Sequence, residues 1–191
     1  MAAASGPELW LVRHGETEWS RDGKHTGTTD LPLTPVGEDA ARSLGAMVAH
    51  TQFDLVLSSP LRRAFDTAVL AGFTDPVIEP NAREWVYGDY EGITTDQIRA
   101  MVPGWRIWTH GAPGGESPDE VGARADKVVD RVRTEALERA LIFAHGHFLR
   151  VLAARWLGLP AARGVHLRLD TSTVSVLGWE REEPAIVRWN S

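Results

Sequence analysis

The stretch Leu11-Val12-Arg13-His14-Gly15-Glu16-Thr17 decides how this chain is read. It continues an apolar run, and Leu9-Trp10-Leu11-Val12 reads as a short buried strand. The strand ends in a cation, an imidazole and a glycine. Arg13 offers a planar fork of donors suited to phosphate. His14 carries a nitrogen that attacks, or moves a proton, near neutral pH. Gly15 lets the backbone turn sharply and approach a ligand. Ligands of open α/β sheets bind beyond the carboxyl ends of strands, where these residues fall. A lone Arg-His-Gly is more often a strand end with a surface pair of polar side chains, so the rest of the chain decides.

The 191 residues suffice for one domain, 1–191, with a sizeable core. A net charge of -6 without any basic block argues against nucleic-acid binding. The absence of cysteine excludes disulfides, thiolate metal sites and thiol nucleophiles, and it fits a cytoplasmic protein. Met1 to Pro7 is small and polar and lacks the pattern of a signal peptide. No apolar stretch is long enough to cross a bilayer, so no membrane partner is expected. Most of the eight tryptophans are expected in the core, with those beside glycine-rich segments free to line a pocket.

Beyond the first strand, the polar segment Trp19 to Asp30 reads as a loop or an irregular turn. Thr34-Pro35 is a helix start, and Ala40, Leu44, Met47 and Val48 recur at helical spacing over Pro35 to His50. Asp54 to Ser58 is a second buried strand, followed by a helix through Ala71. Arg62 and Arg63 stand at that helix's start, where the free N–H groups already favour anions. Pro76 to Glu79 is a short strand, and Asn81 to Gly92 a loop dense in aromatics and carboxylates. Carboxylates held among aromatics can serve as acids. Thr94 or Thr95 caps a short helix through Met101. Trp105 to Glu116 reads as a lid or pocket wall. Ser117-Pro118 with Glu120 resembles a capping box, opening a long helix to about Arg139. Ala140 to Ala144 is a further buried strand, ending in His145-Gly146-His147, with a helix from about Phe148 to Leu157. Val165 to Leu169, Thr173 to Trp179 and Ala185 to Trp189 alternate as strands that close one sheet edge.

Two His-Gly strand ends in one chain are much rarer by chance than one. Arg13, His14, Arg63 (or Arg62) and His145, with Glu84 on a nearby loop, describe a pocket for a phosphate dianion. Phosphoryl transfer needs neutralised equatorial oxygens, a nucleophile and a proton donor for the leaving oxygen. His14 suits the second role and Glu84 the third. A metal site on His14, His145 and His147 is the competing reading. The arginines would repel a divalent cation, and no H-E-x-x-H spacing is present.

These residues make the chain resemble the histidine phosphatase superfamily, in its phosphoglycerate mutase-like branch. Arg13 to Thr17 (R-H-G-E-T) is similar to the family's signature, and Ser58 to Ala68 (S-S-P-L-R-R-A-F-D-T-A) to its second motif. The family's arginine precedes Ala-x-x-Thr, which selects Arg63 over Arg62. R-E-W-V-Y-G-D-Y-E-G gives the acid role to Glu84, and F-A-H-G-H gives the second catalytic histidine as His145, with Gly146 beside it as a substrate contact. H-T-G at His25 to Gly27 matches a pair whose Thr26 side chain and Gly27 backbone contact phosphate. The resemblance implies a three-layer α/β/α sandwich with a mostly parallel central sheet. It implies attack by His14 in line on phosphorus, with Arg13, Arg63 and His145 holding the phosphoryl oxygens. Glu84 then protonates the leaving oxygen and activates water against the phosphohistidine, with no metal and no cofactor.

Departures from the mutases bear on the activity. Ser20 stands where mutases usually carry asparagine, and its hydroxyl can still donate to phosphate. Between Gly92 and Gly115 only Arg99 and Arg106 replace the mutases' longer basic insertion. The sequence ends at Ser191, soon after the last strand, with no tail to close the site. An open site loses its phosphoryl group to water, so the expectation is a phosphatase, with phosphoglycerate mutase as the alternative. T-G-T-T-D-L-P-L-T-P-V-G and the segments after it look similar to acid phosphatases and to sugar bisphosphatases acting on sedoheptulose bisphosphate. The expected substrate is a phosphorylated sugar or small organic acid. Trp105, Arg106, Trp108 and His110 are expected to form its specificity wall, against a reading in which the tryptophans simply pack. A phosphate-binding module without turnover, or an interaction protein that kept only the fold, would tolerate decay of the motifs, and none is decayed. A homodimer through an edge strand or helix face is left open, with no residue pattern to support it.

Overall fold

The computed structural model describes residues 6–135 and 137–191. Met1–Ser5, most of the segment read for a signal peptide, lie outside them. The apolar runs form β1 (Glu8–Arg13), β2 (Leu55–Ser58), β3 (Val77–Ile78), β4 (Arg139–Ala144), β5 (Val174–Glu180) and β6 (Glu183–Arg188). Helices are α1 (Glu18–Arg21), α2 (Pro35–Val48), α3 (Arg62–Leu70), α4 (Thr95–Met101), α5 (Ile107–His110), α6 (Pro118–Thr134) and α7 (Gly146–Trp156). Among the described residues the strands build one six-stranded sheet, in the order β3-β2-β4-β1-β5-β6. The neighbours β3, β2, β4 and β1 run parallel, while β5 joins β1 antiparallel and β6 returns along β5.

The period-2 alternation of strand side chains sorts each strand's residues between two apolar clusters. Leu9 and Leu11 of β1, with Ala140, Ile142 and Ala144 of β4, join Val121, Val128, Phe148 and Leu152 of α6 and α7. Val12, Leu141 and Phe143 point the other way, onto Leu44 and Val48 of α2 and Ala68 of α3. Each fully buried Leu or Phe contributes about 1.5–3 kcal/mol relative to exposure. The result is the expected α/β/α sandwich.

Helix starts follow the sequence signals. Thr34 accepts from the Gly37 N–H, and Thr94 with Gln97, and Ser117 with Glu120, form reciprocal capping boxes. Four expectations are corrected. Trp19 to Asp30 is not all loop, because Thr17 and Ser20 cap the single turn of α1. The long helix ends at Thr134, and Arg139 already belongs to β4. The buried stripe of α2 is Gly37, Ala41, Leu44 and Val48, whereas Met47 is exposed. Val165 to Leu169 is no strand: a 3₁₀ helix covers Ala161–His166. The carbonyls of this stretch go to side chains instead of a ladder, with Arg150 donating to Gly164 and Val165, Trp189 to Arg168 and Arg13 to Leu169.

One consequence of this topology positions the site. β1 and β4 are neighbours, with Arg13 opposite Ala144. The chain leaving β1 goes on to α2 on one face, and the chain leaving β4 enters α7 on the other. A crevice opens beyond their carboxyl ends, which is where such sheets bind ligands.

Candidate active site

His14 and His145 follow β1 and β4 directly, so the register brings their rings together, with centroids 5.1 Å apart. Both are buried. His14 Nδ1 lies 2.7 Å from the Gly15 carbonyl oxygen, which can only accept, so Nδ1 carries the proton. That leaves a lone pair on Nε2. The Gly15 N–H in turn donates to Thr67 Oγ1. A Cβ at Gly15 would fall 2.5 Å from the Gly37 carbonyl, so glycine is what lets the strand end dock on the first turn of α2.

His145 is held at both nitrogens. Arg63 Nε donates to Nδ1 at 3.2 Å, which leaves Nε2 to donate to Ser59 Oγ at 2.7 Å. Arg63 is fully buried, and its remaining N–H groups reach the carbonyls of Thr26, Gly27 and Thr29. Arg62 is exposed and pairs with Asp66.

Glu84 supplies what the start of α7 lacks. His145, the N-cap, makes no side-chain cap hydrogen bond. Glu84 accepts instead from the N–H groups of His147 (3.0 Å) and Phe148 (2.9 Å), and from its neighbour Trp85 (2.9 Å). A carboxylate at a helix N-terminus also suits the helix dipole. Arg13 crosses the same turn. Its guanidinium donates to the Leu169 carbonyl, while its buried Nε has no protein partner. A Cβ on Gly146 would stand 3.1 Å from Arg13 Cζ, so glycine leaves room for the cation.

Arg13, His14, Ser20, Thr26, Glu84 and Gly146 line one cavity of about 230 Å³. Lys24 and Arg150 line it too, giving three cations and one carboxylate on its walls. Burial, then the positive charge of Arg63 and Arg13, holds His14 well below the usual histidine range. His145 is held low by burial, Arg63 and His14. Two neutral imidazoles beside surplus cations give the pocket a charge suited to an anion, and Nε2 of His14 keeps its lone pair.

Not every residue expected here is brought to the cavity. Arg63 sits behind its wall. The Gly27 N–H is spent on the Glu91 carboxylate at 2.9 Å. Ser20 reaches the cavity, but its hydroxyl accepts from the Thr17 N–H and donates to the Thr17 carbonyl. Trp105 and Trp108 are buried in the main core cluster, yet with Arg99 and Arg106 they line an adjoining cavity of about 320 Å³. His25, Thr95 and His147 line both cavities. His110 lines neither, and its Nδ1 accepts from the Arg106 N–H.

Lys24, Ser59 and Tyr87 carry no sequence signal that assigns them to the site, Arg150 carries only its helical spacing, and His147 is read from sequence only as a metal ligand. Ser59 follows its strand end directly and orients His145. The Tyr87 hydroxyl and His147 Nδ1 share a hydrogen bond at 2.6 Å, and burial and Glu84 push the Tyr87 hydroxyl well above its ordinary range. Arg150, four residues after Gly146 and so on the same side of α7, lies over the Trp108 ring at 4.4 Å. Burial lowers its guanidinium to about 10. The helical spacing of Arg150 was the one signal available in advance.

Known proteins share much of this chain's sequence and its fold. Across 175 residues the chain is 43% identical to the acid phosphatase of Mycobacterium tuberculosis, covering 90% of this chain and 86% of that one. It is 36% identical to the sedoheptulose 1,7-bisphosphatase of Saccharomyces cerevisiae over 86% of this chain and 71% of that one. A solved Mycobacterium tuberculosis structure superposes with a TM-score of 0.90 at 39% identity, covering 96% and 97% of the two chains. The sequence profile of the histidine phosphatase superfamily (branch 1) matches residues 9–191, and the chain belongs to that family.

Proposed function

We propose that residues 1–191 form one phosphatase domain that hydrolyses small phosphomonoesters through a phosphohistidine on His14. The observation that carries this is the His14 ring. With Nδ1–H donating to the Gly15 carbonyl, Nε2 presents its lone pair to a cationic cavity. Arg13, with an unpartnered Nε, and the other wall cations neutralise the phosphoryl oxygens. Arg63 adds positive charge from behind the wall and holds the His145 ring beside His14. His14 Nε2 forms the bond to phosphorus as the ester oxygen departs. Glu84 gives that oxygen its proton, so the alcohol departs and Glu84 remains as the carboxylate. It then takes a proton from water, whose oxygen displaces His14 from phosphorus and releases inorganic phosphate. The walls hold no carboxylate cluster for a divalent cation: among the described residues, no group of three His, Cys, Asp or Glu side chains could hold a metal.

The substrate class follows from the adjoining cavity. Arg99 and Arg106 lie beyond Thr95 and His147, so the cleft suits a sugar or organic acid with a second anionic group. Thr26 and Gly146 are read as contacts of the transferred phosphoryl group, with Ser20 at the same wall but its hydroxyl proton on Thr17, and Arg106 and Trp108 as contacts of the remainder. Among the described residues no helix is long and apolar enough to cross a membrane. The cysteine-free composition suits the cytoplasm. A homodimer is settled by sedimentation across a concentration series.

The test is release of inorganic phosphate, with EDTA present, from p-nitrophenyl phosphate, 3-phosphoglycerate and sugar mono- and bisphosphates. Release by the wild type but not by His14→Ala, with acid-labile label retained on the wild type after quenching, is the expected result. Interconversion of 2- and 3-phosphoglycerate without release would make it a mutase. Activity abolished by EDTA would overturn the mechanism.

A further inference from the structure

The feature that the mechanism does not use is a buried ion pair behind Glu84. Arg124, on α6, is bidentate to Glu116, with Nε to Oε1 at 2.7 Å and Nη2 to Oε2 at 2.8 Å. Its other donors reach backbone carbonyls: Nη1 those of Asn81 and Arg83, and Nη2 that of Glu84 itself. All five donors of the guanidinium are thus spent on Glu116 and on the segment that carries Glu84. Glu116 works on the same segment. Its Oε2 accepts from the Val86 N–H at 3.0 Å and its carbonyl from Trp85 Nε1 at 2.7 Å. Its own N–H donates to the Val86 carbonyl. Both members are nearly sheltered from solvent, with side chains 8% and 12% exposed. The segment from Asn81 to Val86 belongs to no strand, so no ladder holds it. Arg124 also lies over the ring of Phe148, whose N–H is one of those on the Glu84 carboxylate.

We propose that Arg124 and Glu116 are positioning residues of the proton-transfer step, locking the backbone of residues 81–86 so that the Glu84 carboxylate meets the leaving oxygen. The proposal rests on the reading of Glu84 as the proton donor. General-acid catalysis tolerates little misplacement, because the donor must stand within hydrogen-bond reach of the oxygen it protonates. Lysine cannot replace the fork: its ammonium is a point charge that matches neither the carboxylate nor the three carbonyls.

The test is kcat/KM for a series of phosphomonoesters, from 2,4-dinitrophenyl phosphate through p-nitrophenyl phosphate to alkyl phosphates. This constant ends at phosphohistidine formation, and only a basic leaving oxygen needs the acid. Glu84→Gln is expected to lose about 100-fold on alkyl phosphates and only a few-fold on dinitrophenyl phosphate. Arg124→Lys is expected to repeat the pattern at about tenfold on alkyl phosphates, and to add nothing further in the Glu84→Gln background. An equal loss on all esters, or none, overturns the proposal, as does an additive double variant. A flat series for Glu84→Gln itself overturns the reading of Glu84, and the proposal with it. Circular dichroism establishes that the variants are folded. If Arg124→Lys is not, Glu116→Gln is run through the same series, and if neither folds the pair serves only the fold and the proposal falls.

Discussion

The ends of β1 and β4 share one local pattern, a buried parallel strand running into His-Gly, yet they are built for different work. At β1, His14 has one nitrogen tied to the next carbonyl and the other left open to the cavity. At β4, His145 has both nitrogens engaged, by Arg63 on one side and Ser59 on the other. The β1 end is followed by an extended connection docked on α2, and the β4 end turns at once into α7. A free lone pair makes a nucleophile. A ring clamped at two points has no free nitrogen and keeps its place beside His14. The tripeptide does not distinguish these roles, but the partners do.

The widest test of that difference is to remove each ring. His14→Ala is expected to lower turnover by about four orders of magnitude or more, as for loss of any covalent nucleophile. His145→Ala is expected to cost about 10²-fold, the scale of a misplaced catalytic group, because it removes the ring that holds Arg63 and packs beside His14. Steady-state phosphate release and trapping of labelled enzyme measure both. Label retained by His14→Ala, or equal losses in the two variants, would break the distinction.

The two rings share one property, and pH sharpens it. Burial and the neighbouring arginines hold both well below the usual histidine range, so both are uncharged in the folded protein near neutrality. His25 is similarly lowered, to about 4, by burial. In the unfolded chain each titrates near 6.5. Below that pH the unfolded state binds protons that the folded state refuses. Stability is therefore full above about 6.5 and falls as pH drops, by about 1.4 kcal/mol per pH unit for each such ring, until the folded pKa is reached. Urea unfolding between pH 7.5 and 4.5 is expected to show this decline. His14→Asn and His145→Asn should each remove about one proton from the slope. An unchanged slope in either variant would mean that its ring is charged in the folded state.

The smallest effects lie in the supports. Gly146→Ala puts a methyl 3.1 Å from Arg13 Cζ, so the guanidinium must shift. A rise in KM of about tenfold is expected, with the melting temperature nearly unchanged. Ser59→Ala leaves His145 Nε2 without its acceptor, and a loss of about 1 kcal/mol in stability with a several-fold fall in kcat is expected. No change from Ser59→Ala would show that the clamp on His145 is Arg63 alone.

Much of the molecule was legible because its signals are local. Short apolar runs marked β1, β2 and β4, and Thr34-Pro35 and Ser117 with Glu120 marked helix starts, since burial and capping act within a few residues. The same locality misled at Val165 to Leu169, where alternation imitated a strand whose carbonyls are claimed by Arg13, Arg150 and Trp189. It left open whether Trp105 and Trp108 pack or line a pocket, and they do both.

By itself, then, the sequence determined the strand and helix periodicities, the two His-Gly strand ends and the motif order that marks the family. These depend on near neighbours and on residue type. Only the tertiary structure decided which nitrogen of His14 is free, that Glu84 sits on the first turn of α7, and that Arg124 and Glu116 stand behind it. Those contacts join side chains to partners brought close by sheet order and helix packing, and the spacing along the chain does not encode them.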